Sequence, residues 1–105
     1  MTPMQATVTA AALRLALKHS ADEPVTAEPE KGLFIQLARA DGVLSLTLRR
    51  EAAYPTVREA ENWAEAFGVP DGIDSMSRRS WNSTHPKTQR PLRWCACTFT
   101  WREAA

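Results

Sequence analysis

Cys95 and Cys97, His19 and His85, and the arginines and tryptophans between residues 78 and 94 are the side chains of this sequence with the richest chemistry. A Cys-x-Cys step places two thiols on one face of a strand about 6–7 Å apart, but a metal needs further ligands. The chain has two cysteines in all, and its two histidines stand at no ligand spacing from them. Both thiols are therefore expected as small buried hydrophobes, with no metal and no other cofactor. His85, beside Pro86, would serve as a base or phosphate contact and either cysteine as a nucleophile only within a flanking constellation, and none joins them. The four glycines, Gly32, Gly42, Gly68 and Gly72, are scattered rather than gathered into a phosphate-binding loop. The expectation is a non-enzymatic protein.

Charge carries more information than these nucleophiles. The net charge is +1, yet residues 20–74 hold eleven acidic and five basic side chains, whereas residues 75–102 hold six basic and no acidic ones. Arg78, Arg79, Trp81, His85, Lys87, Arg90, Arg93 and Trp94 combine cations that attract phosphate with indole faces on which any unstacked base can lie. No helix-turn-helix, zinc-finger or RNA-recognition spacing accompanies them, so the contact expected from this set is nonspecific in sequence. Glu51, Glu59, Glu61 and Glu65 form an opposite set, suited to a basic partner surface or to nothing more than the wet side of a helix.

The elements that must position these groups follow from local pattern. Thr2, Pro3 and Gln5 open a helix over residues 3–19, with Met4, Val8, Ala11, Ala12 and Leu15 as its apolar stripe; alternation at Leu13, Leu15 and Leu17 offers a strand as the rival reading. Residues 20–31, with Pro24 and Pro29 among four carboxylates, read as an acidic surface linker. Residues 32–50 form a hairpin turned on Asp41-Gly42. Pairing Ala40 with Val43 sets Leu37 against Leu46 and Ile35 against Leu48 on an apolar face, and Gln36 against Thr47 and Phe34 against Arg49 on the other. Thr56 and Glu59 make a capping box for a helix ending at Gly68, with Val57, Ala60, Ala64 and Phe67 inward and Trp63 at their flank. A short strand at residues 76–82, a basic polar loop at 83–91 and a strand at 92–101 complete the chain; Cys95, Cys97, Phe99 and Trp101 take the core side of the last strand. The expected core is Ile35, Leu37, Leu46, Leu48, Val57, Ala60, Ala64, Phe67, Cys97 and Phe99.

At 105 residues this amounts to a single domain spanning 1–105, an α+β fold with a small antiparallel sheet of three to four strands and one or two helices packed on it. No apolar run reaches membrane-spanning length and no signal-peptide pattern opens the chain, so the expected location is cytoplasmic, with no membrane partner. The alanine- and arginine-rich composition resembles that of small accessory proteins of bacterial or phage mobile elements, a likeness of overall character that transfers no residue role. It implies an inhibitor or adaptor acting on a larger protein or nucleoprotein complex by surface complementarity. The alternative is direct nonspecific nucleic-acid binding by the 78–93 segment.

Overall fold

A computed structural model describes residues 2–21 and 23–103; Met1, Asp22, Ala104 and Ala105 lie outside the described residues. In chain order the elements are α1 (Pro3–Lys18), β1 (Val25–Glu30), β2 (Leu33–Ala40), β3 (Val43–Glu51), α2 (Val57–Phe67), a short 3-10 turn (Gly72–Ser75), β4 (Met76–Thr84) and β5 (Pro91–Arg102). All strand pairs are antiparallel in one sheet of order β1-β2-β3-β5-β4. The fold is α+β, with five strands where three to four were expected.

The β2–β3 hairpin has the register read from the sequence, from Ala40↔Val43 through Leu37↔Leu46 and Ile35↔Leu48 to Phe34↔Arg49. Asp41 and Gly42 both adopt positive φ, 53° and 75°, as the two-residue turn demands. This register sends Leu33, Ile35, Leu37, Leu44, Leu46 and Leu48 to one side, where each is buried. β5 lies between β3 and β4, and its Cys97 and Phe99 oppose Leu48 and Leu46, extending the same apolar side. Ala60, Trp63, Ala64 and Phe67 of α2 and Ala6, Ala10, Leu13 and Leu17 of α1 close over it to form one core. Both helices begin with complete capping boxes, Thr2 with Gln5 and Thr56 with Glu59, and α2 stops at Gly68 in the left-handed conformation. Arg50 of β3 joins the layers, donating to Glu59 of α2 at 2.5 Å and to Glu30 of β1 at 3.4 Å.

Five expectations need correction. The stripe of α1 that packs inward is not Met4, Val8, Ala11, Ala12 and Leu15; these are exposed, with Met4 at 77%, Val8 at 63% and Leu15 at 59%. The inward side consists of alanines and two leucines, whose small size lets the helix lie close to the sheet and whose pattern is easily masked by larger apolar residues opposite. Within the supposed acidic linker, Val25–Glu30 is an edge strand: Val25 and Ala27 pair with Leu37 and Ile35, and a bulge before Glu30 accommodates Pro29. Val57 is 48% exposed because it occupies the first helical position, while Trp63 at the flank of the stripe packs into the core with Phe67. The 83–91 loop is shorter than expected, since β4 runs through Thr84 and β5 starts at Pro91. The 76–82 strand is correspondingly longer. Among the described residues no helix is long and apolar enough to cross a membrane.

Candidate functional site

Both helices lie on one side of the sheet, so strand alternation leaves the other side without a covering layer. On β2, β3, β5 and β4 that open side receives Phe34, Gln36 and Ala38; Ser45, Thr47, Arg49 and Glu51; Leu92, Trp94, Ala96, Thr98 and Thr100; and Ser77, Arg79, Trp81 and Ser83. Half of it is a hydroxyl field, with Thr47 and Thr98 hydrogen-bonded across the strands at 3.2 Å. The other half is aromatic and cationic.

Phe34 and Arg49 stand directly opposite on β2 and β3, and Trp94 stands opposite Trp81 on β5 and β4. The Arg49 guanidinium carbon is 5.1 Å from the Phe34 ring centre and 4.9 Å from that of Trp94, while the two rings meet edge to face at 5.7 Å. Arg79 lies 4.8 Å from the Trp81 ring centre. Between the two arginines, in register with both, is Ala96, buried beneath its neighbours. A small residue there lets the long side chains fold down over the sheet and keeps the rings in place. Among the described residues neither Arg49 nor Arg79 has a carboxylate partner. The Nε of Arg49 is buried without a hydrogen-bond acceptor, and its guanidinium packs against two π-faces. Glu51, the acidic residue at this end of β3, is paired with Arg90 at 2.7 Å, and that arginine holds its carboxyl below the usual range. The result is a platform crossing four strands, with rings and cations alternating and its nearest carboxylate already neutralised.

The structure redistributes the basic set read from the sequence. Arg79 and Trp81 join the platform, but Arg78 points to the helix side, opposite Cys97 and 5.5 Å from the Tyr54 ring centre. Arg93, opposite Asn82, shares that side. Lys87 is exposed in the turn between β4 and β5. His85 builds this turn: its Nδ1 accepts from the backbone N–H of Lys87 and Thr88, both at 3.2 Å, and its backbone N–H donates to the Arg90 carbonyl. Of the acidic set, Glu51 and Glu59 are engaged by Arg90 and Arg50, whereas Glu61 and Glu65 are exposed and make no ion pair among the described residues. Burial opposes ionisation of Glu59, but hydrogen bonds from Arg50 and from the Thr56 backbone outweigh it and hold the carboxyl below its usual range.

Phe34 and Arg49 are the platform residues missing from the sequence-derived set. Their signal was present in the hairpin register, which places a large aromatic on the otherwise polar side directly opposite an arginine. Cys95 and Cys97 are buried free thiols on the core side, and burial pushes the Cys97 thiol up, with the Arg78 charge pulling in the other direction. Such a thiol is a poor nucleophile. Among the described residues no three His, Cys, Asp or Glu side chains gather as metal ligands.

No protein family, curated protein or solved structure matches the chain.

Proposed function

We propose that this is a small non-enzymatic interaction protein whose open sheet face binds single-stranded nucleic acid, free or exposed within a nucleoprotein complex. The observation that carries this reading is the Phe34–Arg49–Trp94 cluster continued by Trp81 and Arg79 on the edge strand. A flat antiparallel surface bearing rings offers stacking to unpaired bases, and arginines between the rings reach the phosphates that connect them. Duplex DNA hides its base faces, so the platform favours single strands.

Fluorescence anisotropy of a labelled mixed-sequence oligonucleotide at low salt tests the proposal. Binding is expected for single strands over the matching duplex, with affinity falling as salt rises. Arg79→Ala is expected to reduce the salt slope by about one. Absence of binding at low salt, or full affinity in a Trp81→Ala/Trp94→Ala double variant, overturns it.

A second reading has its own observation. Glu61 and Glu65 lie one helical turn apart on α2, exposed and without ion pairs among the described residues, and so are available to a basic protein surface. If the protein acts as an inhibitor or adaptor through this side, a Glu61→Lys/Glu65→Lys variant loses a purified basic partner while keeping its unfolding temperature. Retained capture by that variant removes the acidic-helix version.

A further inference from the structure

We infer that the open sheet face selects RNA over DNA, and that the polar row of Gln36, Thr47 and Thr98 is the element that reads the ribose 2′-hydroxyl. The inference rests on the single-strand reading of the platform given above and adds to it the class of sugar.

The open side is built in rows, each crossing the sheet at one register. Phe34, Arg49, Ala96 and Arg79 make one row, and Gln36, Thr47, Thr98 and Ser77 make the next, each residue standing directly opposite its neighbours. Two residues of antiparallel strand, about 6.8 Å, separate the rows. One row further along, Ser45 and Thr100 stand opposite each other. Neither of these two polar rows holds a charged residue, so the phosphates of a bound strand are drawn to Arg49 and Arg79. On the far side of the arginine row lie Trp94 and Trp81, where the bases stack. The sugars that join base to phosphate then fall toward the hydroxyls.

The chemistry of that row suits a group that both donates and accepts, as a ribose 2′-hydroxyl does. The Thr47 and Thr98 hydroxyl oxygens are 3.2 Å apart, so one O–H is spent within the pair, while the second O–H and lone pairs on the oxygens remain for a ligand. Gln36, directly opposite Thr47, adds an amide with both functions. Ser77 does not belong to the set, because its hydroxyl donates to the Thr98 carbonyl at 3.4 Å. Gln36, Thr47 and Thr98 are half-buried. A deoxyribose methylene laid over them displaces water without replacing its hydrogen bonds, and this penalty discriminates against DNA.

Fluorescence anisotropy of wild type decides the matter, using single strands of one uracil-containing mixed sequence with ribose, deoxyribose or 2′-fluoro sugars. Ribose is expected to bind tighter than deoxyribose by roughly 2- to 13-fold for each sugar contacted, the range of a single hydrogen bond. The 2′-fluoro strand keeps the sugar pucker of RNA but donates nothing, and is expected to fall toward the deoxyribose value. Thr47→Val/Thr98→Val removes both hydroxyls together and keeps the β-branched shape. It is expected to bring the ribose-to-deoxyribose affinity ratio close to one.

Equal affinity of wild type for ribose and deoxyribose strands overturns the inference and leaves the single-strand reading standing. Absence of binding to either strand overturns that reading, and the inference with it. A 2′-fluoro strand that binds as tightly as ribose assigns the preference to sugar pucker and removes the threonines from it, as does an unchanged ratio in the double variant. A double variant that alters the preference among uridine, adenosine and cytidine homopolymers, with the ratio unchanged, assigns the row to base edges instead.

Discussion

The two faces of the same sheet have opposite relations to water. On the helix side, Leu33, Ile35, Leu37, Leu46, Leu48, Cys97 and Phe99 are each no more than 1% exposed. On the open side, Leu92 and Ala96 are buried beneath their neighbours, and the polar side chains, arginines and rings around them remain partly solvated. The first face is specified by burial and tolerates little. The second is free to carry chemistry, because changing it leaves the core intact.

Leu37→Asp gives the largest contrast. A carboxylate there has no partner, and a loss of more than about 4 kcal/mol is expected, enough to abolish the cooperative transition in thermal denaturation. Trp94→Ala on the open side should fold yet lose about 1–3 kcal/mol of affinity for single-stranded nucleic acid, roughly 5-fold to 150-fold by anisotropy, if the ring stacks on a base. A Trp94→Ala protein that binds normally would break the comparison, leaving the open face as mere surface. Thr56→Ala removes the cap that starts α2 and is expected to cost about 1 kcal/mol in chemical denaturation.

Glu59 gives a smaller, pH-dependent effect. Its folded carboxyl titrates below the usual 4.5, so its stabilising contribution is complete above that value and is lost as pH falls through the folded value. Glu59→Gln should therefore flatten the acid limb of the stability curve measured by urea denaturation. Smallest of all, Val57→Ser at an exposed helix start should shift stability by no more than about 0.5 kcal/mol.

Much of this arrangement is legible in the sequence where one signal dominates. The hairpin register and α2 follow from strict alternation and a capping box, and neither faces a competing pattern. α1 begins at its expected Thr2 cap, but its buried side is marked by alanines while the bulkier Met4, Val8 and Leu15 lie opposite, so size misdirects the choice of face. β1 is hidden because Pro29 and the carboxylates around it resemble a linker; an edge strand needs ladder hydrogen bonds on one side only and can carry both. The basic run is visible as charge, but alternation along β4 sends Arg78 and Arg79 to opposite faces. The platform is completed by Phe34 and Arg49 from strands distant in sequence, which charge counting along the chain does not associate.

β5 lies in the interior of the sheet although it is the last strand in the chain, and this governs the order of folding. The hairpin of β2 and β3 needs only a two-residue turn, whereas the β3–β5 ladder closes the long segment containing α2 and β4. Entropy makes that closure late and slow relative to the hairpin. Until it occurs, the β3 edge and its leucine side are exposed together, a template for pairing with other chains. A chain interrupted before Pro91 would therefore lack not a margin of the sheet but the strand that joins its two parts, and would be the species most prone to aggregate during synthesis.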